Sequence, residues 1–412
     1  MSTQTSLEKW ISIKSIKKEI PNIFYLDWNN NLYYPNKQAV WLYEMPENYN
    51  FKNTIYWKEF RTNITICGNI NYDNLYNYLD YPIVNDISYI KSHVQKSIRR
   101  NLDQHCVKSS LDYIKLDFND FLRRLPIIMI EDVYVHKSLN TIIWMMLAFN
   151  STKTIKEEYN NFINLNKKNL NNETNNYSNN YSNNYSNNKS NNKFKKVIYD
   201  KWIPTTNQIS WLLGVVSTLS RTTNRIIIDE KYKIDIFNYK CYKETIKKIP
   251  KKYASLLYSI MLRKSYGGMK NDMIMLNNYL NYYYNILIKK DFFIKYKKIY
   301  LEPIKSIDIN IKNLHKDEWL VEAMDFHCKP NIIVSLQNHF YEEDYKYEDL
   351  KKAIWYNCSG INYKNNINFD NINNDINNDI NNDINNNYNK IWENIKKKYF
   401  SLCYFHKSIL FN

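Results

Sequence analysis

Glycine is the residue that this sequence lacks most conspicuously. The chain of 412 residues contains 5 glycines, where average usage would give about 30. A collagen-like or glycine-rich architecture is therefore excluded. Glycine-rich phosphate loops are also not expected, and the GxxxxGK[ST], GxGxxG, GxSxG and HExxH motifs are all absent. The sequence thus gives no local support for a P-loop ATPase, a Rossmann domain, an α/β-hydrolase or a zincin.

Cysteine and long apolar runs are scarce as well. The 6 cysteines include no CxxC pair and no paired short spacing, so neither a disulfide framework nor a zinc ribbon is expected. No apolar run reaches the roughly 18 residues of a membrane span. The N-terminus lacks the basic stretch and apolar stretch of a signal peptide. We expect an intracellular protein, in the nucleus rather than the cytoplasm, without a membrane partner.

Positive charge is abundant. The chain has 57 Lys and Arg against 41 Asp and Glu, a formal net charge of +16. A basic balance is typical of nucleic-acid binders. However, the over-used residues Asn, Lys, Ile and Tyr share AT-rich codons, so drift of the coding DNA can supply much of the lysine. Solvated lysine faces and a polyanion-binding surface both remain open interpretations.

Two low-complexity tracts interrupt the chain. Residues 164–195 contain NNYSNNYSNNYSNNKSNN, and residues 365–389 repeat NNDI. Neither tract can bury enough apolar surface to offset the entropy of ordering, so both are expected to be disordered insertions. The other predicted regions are a mixed N-terminal region 1–87, a helical domain 88–163, a second helical domain 196–364 and a C-terminal amphipathic helix 390–412.

Apolar periodicity predicts a mainly α protein, a multi-helix bundle or array. Ile90, Val94 and Ile98, for example, lie at i, i+4 and i+8 and would share one helix face. Ser138 stands where an N-cap is expected, and Gly267-Gly268 where a helix should end. The predicted helices are 88–100, 107–117, 118–133, 138–150, 209–221, 253–268, 272–289, 317–328 and 347–360.

A small β element is predicted near the N-terminus. Residues 60–72, FRTNITICGNINY, alternate apolar and polar side chains around Gly68. This pattern predicts a β-hairpin in which Gly68 supplies a positive φ at the turn.

Arginine is rare, and its placement is therefore informative. Of 8 arginines, four form two adjacent pairs within residues 99–124. Because AT-rich codons favour lysine over arginine in this composition, a retained arginine indicates a need for its planar guanidinium group with five donors. One interpretation is an ion pair with Glu131 and Asp132 that locks a helical hairpin. The other is a phosphate-binding face, whose candidate residues are Lys91, Lys96, Arg99, Arg100, Arg123, Arg124 and, beside a helix start, Lys270.

The segment that carries these pairs resembles a known family. Residues 92–133 contain KSIR at 96–99, RRL at 123–125 and EDV at 131–133. In this pattern the segment is similar to the C-terminal helical domains of clamp-loader-related AAA+ proteins. The resemblance implies a helical collar or oligomerisation element over 88–163, without ATP hydrolysis, since no ATPase module precedes it. Tyr134 departs from the family, which has a small residue after EDV.

Other candidate chemistry is sparse. Asp325, His327 and Cys328 form a small cluster that could serve an enzyme or a zinc ion. Cys106 with His93 or His136 is a further nucleophile pair to consider. We expect no metal, no cofactor and no catalytic residue.

Tyrosine-rich residues 277–285 are compatible with either a helix core or a base-stacking surface.

Together these patterns favour a non-enzymatic, nucleic-acid-associated helical accessory factor, in DNA replication or repair, that binds phosphates of DNA or RNA through a basic helical face. Two alternatives stay open. The first is a protein-interaction scaffold or oligomer without a nucleic-acid role. The second is an enzyme centred on residues 325–328.

Overall fold

The computed structural model describes most of the chain between residues 21 and 397. The Asn-rich tracts 164–195 and 365–389 lie outside the described residues, as do 398–412 of the predicted C-terminal helix and most of the predicted helix 317–328. The described part is mainly helical with one small N-terminal sheet, which confirms the expected mainly α class with a small N-terminal β element. The described residues are 21–28, 39–58, 60–72, 74–77, 84, 86–149, 201–222, 246, 249, 251–289, 301–314, 318–320, 323, 345–358 and 387–397.

The sheet has four strands in the order β2-β1-β4-β3. Strands β1 and β4 are parallel, whereas β2 pairs with β1 and β3 pairs with β4 in antiparallel fashion. One face of the sheet packs on the helices, and β3 shows this most clearly, because its exposed side chains alternate with more buried ones. The strands are β1 (Ile23–Trp28), β2 (Val40–Leu42), β3 (Phe51–Trp57) and β4 (Thr62–Ile70).

The hairpin predicted within residues 60–72, with its turn at Gly68, is wrong, and the hairpin of the structure joins β3 to β4 instead. Residues Thr62–Ile70 form one continuous strand, and the chain reverses between Trp57, the last residue of β3, and Thr62, the first residue of β4. Gly68 lies inside β4, opposite Leu26. A Cβ on Gly68 would stand 2.9 Å from the Leu26 carbonyl oxygen and 3.0 Å from Cζ2 of Trp144. Glycine is therefore needed for the close approach of a helix to the sheet, not for a turn.

The helices agree with the periodicity to within a few residues at most ends. The helical period of apolar residues is a local signal, which explains why the helices of the structure lie where the sequence predicts them. The helices are α1 (Ile87–Arg99), α2 (Asp103–Ile128), α3 (Leu139–Ala148), α4 (Thr206–Arg221), α5 (Lys251–Ser265), α6 (Lys270–Lys289), α7 (Tyr347–Cys358) and α8 (387–397).

Helix α2 joins two segments that the sequence predicts as separate helices. It kinks at Asp117, where φ is −152° and ψ is 92°. The Asp117 carboxylate accepts a hydrogen bond from the backbone N–H of Asp120 at 2.8 Å and so caps the second segment. Pro126 lies within the helix, and a π-helical turn, Met129–Val133, follows it directly. A π turn is often associated with a functional position.

Local capping explains where several helices begin and end. The Asp86 side chain accepts from the N–H of Tyr89 and starts α1. Asn101, at φ +58°, follows α1 in a Schellman arrangement. Gly267, at φ +85°, follows α5, as the sequence predicted. The Ser138 side chain makes no cap bond and instead contacts the His136 ring.

The hydrophobic core is continuous across the predicted regions 1–87, 88–163 and 196–364. Trp144 of α3 lies at its centre, and its indole N–H reaches the carbonyl oxygens of Phe24 at 3.1 Å and Cys67 at 3.0 Å. The sheet is thus anchored on the helices. Within the described ranges, every helix is too short or too polar to cross a membrane.

Candidate nucleic-acid interface

Arg99, from the first arginine pair, contacts the carboxylates of the π turn. The Arg99 side chain is 13% exposed and bonds Asp132, whose side chain is fully buried. A second nitrogen of Arg99 lies 3.3 Å from the Glu131 carboxylate. Burial lowers the pKa of Arg99, but Asp132 and Glu131 outweigh this effect, so its pKa is raised. Arg99 is therefore a permanently charged partner of the two carboxylates that the sequence singled out.

Gln95 extends this ion pair into a network that joins four elements. Its amide nitrogen donates to Asp132 at 2.8 Å and to Glu131 at 3.1 Å. Its amide oxygen accepts from Arg124 at 2.6 Å, and Arg124 also pairs with Asp272 at 3.0 Å. Helix α1, helix α2, the π turn and the start of α6 are thereby tied together by buried polar contacts.

The remaining cations of α1 are also engaged or buried. Lys91 pairs with Asp120 at 2.6 Å, and Lys96 is only 6% exposed. Arg100 donates to the backbone carbonyl of Asn357 at 2.6 Å, which connects the end of α1 to α7. These side chains stabilise the contacts between helices.

Arg123 lies against the α5–α6 turn. Its guanidinium lies 5.7 Å from the Tyr266 ring centroid, in cation–π geometry. Its backbone carbonyl accepts two hydrogen bonds from Arg263, at 3.0 and 2.8 Å. Burial, followed by the nearby Arg123, lowers the pKa of Arg263 to about 10. Of the seven predicted phosphate-binding side chains only Lys270 is exposed, so the structure does not bring the set to one open surface.

The other candidate site residues are either buried or lie outside the residues that the structure describes. Asp325, His327 and Cys328 lie outside the described residues. Burial raises the pKa of the Cys106 thiol to about 12, which makes it a poor nucleophile. The described histidines His93 and His136 are buried with lowered pKa values. The base-stacking alternative for 277–285 is wrong, because four tyrosines there are buried in the core: Tyr279, Tyr282, Tyr283 and Tyr284.

An open, basic surface is found instead on the outer side of β3 and β4. In β3, Lys52, Thr54 and Tyr56 alternate with inward residues and are exposed, and Tyr56 reaches 63%. The antiparallel register sets Thr54 opposite Thr65 and Tyr56 opposite Asn63. Directly opposed side chains of this kind lie about 5 Å apart at Cβ.

The turn between these strands adds two further cations. Lys58 and Arg61 are exposed, and the Arg61 N–H donates to the Lys58 carbonyl at 3.3 Å. In the part of the chain that the structure describes, no carboxylate forms an ion pair with Lys52, Lys58 or Arg61. At about 3.4 Å per residue, Lys52 and Lys58 lie roughly 20 Å apart along the ribbon. We call this surface the ribbon face and define it as Lys52, Thr54, Tyr56, Lys58, Arg61, Asn63 and Thr65.

The neighbouring strand β1 closes one side of the ribbon face. The Tyr25 hydroxyl donates to the Asn48 carbonyl at 3.0 Å, and Asp27 accepts from Asn69 at 3.4 Å. Burial and Asp27 raise the pKa of Tyr25 to about 12, and burial raises that of Cys67 to about 12. The Tyr25 hydroxyl and the Cys67 thiol therefore stay neutral at physiological pH. Cys67 lies between Tyr25 and Lys52 across the sheet, so Lys52 is the charged group of these three paired residues.

The paired arginines are the stronger signal in the sequence, and they do not point to the ribbon face. Arg61 belongs to the same small set of arginines, and it is exposed without an ion pair among the described residues. The alternation in residues 51–57, FKNTIYW, was a second available signal for a half-exposed strand. The sequence does not show which arginines have an ion-pair partner in the folded chain. Only the tertiary structure distinguishes these arginines from Arg61.

No family model, curated protein or solved structure matches this chain. Within the described ranges, no group of three or more His, Cys, Asp or Glu side chains is arranged to hold a metal ion.

Proposed function

We propose that the protein is a nucleic-acid-associated accessory factor that binds single-stranded DNA or RNA through the ribbon face. The observation that carries this proposal is an exposed tyrosine on a β-ribbon, between cations that have no ion-pair partner among the described residues. Proteins that bind single strands without sequence preference combine a basic track for phosphates with aromatic rings for bases. Lys52, Lys58 and Arg61 would supply the track, and Tyr56 the ring.

The helical face first predicted from the arginine pairs has a different part in this proposal. Its side chains hold α1, α2 and α6 together and leave little charge for phosphates. The resemblance of residues 92–133 to clamp-loader collars motivates DNA replication or repair as the setting. The proposal itself rests on the ribbon face.

Removal of the cations should weaken binding in a salt-dependent way. We expect the triple variant Lys52→Ala, Lys58→Ala, Arg61→Ala to lose most of its affinity for a dT or rU 20-mer at low salt. Each phosphate contact on a single strand contributes about 0.7 to the slope of log K against log salt, so the slope should fall by about 2. Fluorescence anisotropy over a salt series measures both quantities.

Charge-matched and aromatic variants make this test specific. The triple variant Lys305→Ala, Lys312→Ala, Lys346→Ala removes three exposed lysines elsewhere and should bind like the native chain. Tyr56→Ala should weaken binding by about 1–3 kcal/mol without changing the salt slope, because stacking releases no counterions. Equal losses in both triple variants would refute a localised site and leave non-specific charge attraction. If the native chain binds no nucleic acid but forms a protein complex that resists nuclease, the scaffold alternative would be favoured.

Arg61 permits a test that separates binding from stability. Its φ of +50° lies in the left-handed region, which costs a non-glycine residue about 1 kcal/mol. Arg61→Gly should therefore raise the free energy of unfolding by about 0.5–1 kcal/mol while it weakens nucleic-acid binding. Urea titration and anisotropy on the same sample measure the two effects. A stabilised variant with undiminished affinity would remove Arg61 from the site.

A further inference from the structure

A cavity of about 480 Å³ opens between β2 and α5, away from the ribbon face. This volume is within the range of small-molecule sites. Most of its described lining residues are apolar or aromatic, and the others are Glu44 and Ser255. The lining residues that matter most for the chemistry are Trp41, Tyr43, Glu44, Ser255 and Tyr258.

The aromatic wall is held rigidly from behind. Trp41 stacks on Phe24 with ring centroids 4.5 Å apart and an interplanar angle of 12°. Its indole N–H donates to the Ser259 hydroxyl at 3.1 Å, and Tyr258 lies 5.8 Å from it, centroid to centroid. The wall is therefore formed before any ligand arrives, which reduces the entropic cost of binding.

Few charged groups line the cavity. Among the lining residues that the structure describes, Glu44 is the only one with a charged side chain, and it is exposed. In the described part of the chain Glu44 has no ion-pair partner. Ser255 already accepts a hydrogen bond from Asn140 at 3.0 Å. A ligand that suits this arrangement has an apolar body and a single positive charge.

We propose that this cavity binds a small organic cation, with its charge between Glu44 and the aromatic rings of Trp41 and Tyr43. A cation over a tyrosine or tryptophan face is attracted by the ring quadrupole, and quaternary ammonium groups are bound in this way. Glu44 adds a carboxylate at the mouth, and the apolar walls contact the ligand body. This site is independent of the nucleic-acid proposal.

The test compares phenyltrimethylammonium with tert-butylbenzene, which has the same shape and no charge. We expect the cation to bind the full-length protein at least threefold more tightly in a low-salt titration followed by ¹⁵N–¹H NMR. The indole N–H signal of Trp41 should move, and that of Trp144, which is bonded inside the sheet, should not. Trp41→Phe identifies the Trp41 signal.

Two glutamate variants complete the experiment. Glu44→Gln keeps the shape, lies on the surface and should weaken binding of the cation about threefold to fivefold, as expected for an exposed ion pair. It should leave tert-butylbenzene unaffected. Glu47→Gln, which changes an exposed carboxylate outside the cavity lining, should leave both affinities unchanged. Equal affinity for the two probes, an unshifted Trp41 signal, or indifference to Glu44→Gln would each overturn the proposal.

Discussion

Replacing Asp132 with alanine should lower the free energy of unfolding by about 3 kcal/mol or more. The Asp132 side chain is fully buried and accepts hydrogen bonds from Arg99 and Gln95. Its removal leaves the largely buried guanidinium of Arg99 with one remaining carboxylate, Glu131, at 3.3 Å. Urea titration followed by tryptophan fluorescence measures the loss.

A double variant distinguishes an uncompensated charge from a simple loss of packing. Arg99→Met with Asp132→Leu replaces the pair by apolar side chains and should recover most of the stability, since buried ion pairs contribute little net stability. Lys351→Ala is the surface control, because Lys351 and Glu348 are 55% and 61% exposed and their pair should contribute less than about 1 kcal/mol. A loss below 1 kcal/mol in Asp132→Ala would contradict the network.

Acid should destabilise the protein well above the pH at which most carboxylates titrate. Burial, then His105, Arg100 and Lys96, lowers the pKa of His93 to about 3. Burial, together with Lys137, lowers that of His136 to about 4. The Ser138 N–H donates to Nδ1 of His136, so the neutral ring carries its proton on Nε2 and donates to the Glu302 carbonyl.

The direction of the effect follows from linkage. Above pH 6.5 both rings are neutral in the folded and unfolded chain and contribute no pH dependence. Below pH 6.5 the unfolded chain binds protons that the folded chain excludes, so stability falls with pH. At about 1.36 kcal/mol per pKa unit, His93 and His136 should each remove about 3 kcal/mol between pH 6.5 and pH 4. Urea titrations at several pH values measure the slope.

His93→Phe should remove the His93 share of this acid loss. The ring of His93 packs near Trp319 with centroids 4.7 Å apart, and its Nε2 has no hydrogen-bond partner among the described residues. Phenylalanine should therefore be tolerated at pH 7 to within about 1.5 kcal/mol. His105→Gln is the control. It should recover less of the stability that is lost in acid, because His105 is only half-buried. An unchanged pH slope in His93→Phe would show that other groups govern acid sensitivity.

Much of the fold was predictable because its signals are local. The period of Ile90, Val94 and Ile98 identifies α1, and the change of pattern near residue 117 coincides with the kink of α2. Gly267 marks the end of α5 for the same reason, since a positive φ depends on neighbouring residues alone. The pairing of parallel strands β1 and β4 was not predictable, because that pairing joins segments 42 residues apart in register, Ile23 with Thr65.

The contacts that engage the predicted phosphate-binding arginines join residues that are distant in the chain. Arg100 donates to Asn357 across 257 residues, and Arg263 binds the carbonyl of Arg123 across 140 residues. No spacing rule relates such residues. For the same reason the role of Gly68 was misjudged, because the Trp144 ring that requires a glycine belongs to another element.

The sequence by itself determined the helical class, the approximate positions of most described helices, and the carboxylates Glu131 and Asp132 as partners within reach of Arg99. These properties follow from side-chain periodicity and from residues close together in the chain. Only the tertiary structure decided which cations face solvent, because the availability of a charge depends on whether a distant partner neutralises it. That difference moved the candidate interface from the arginine pairs to Lys52, Tyr56, Lys58 and Arg61 on the ribbon face.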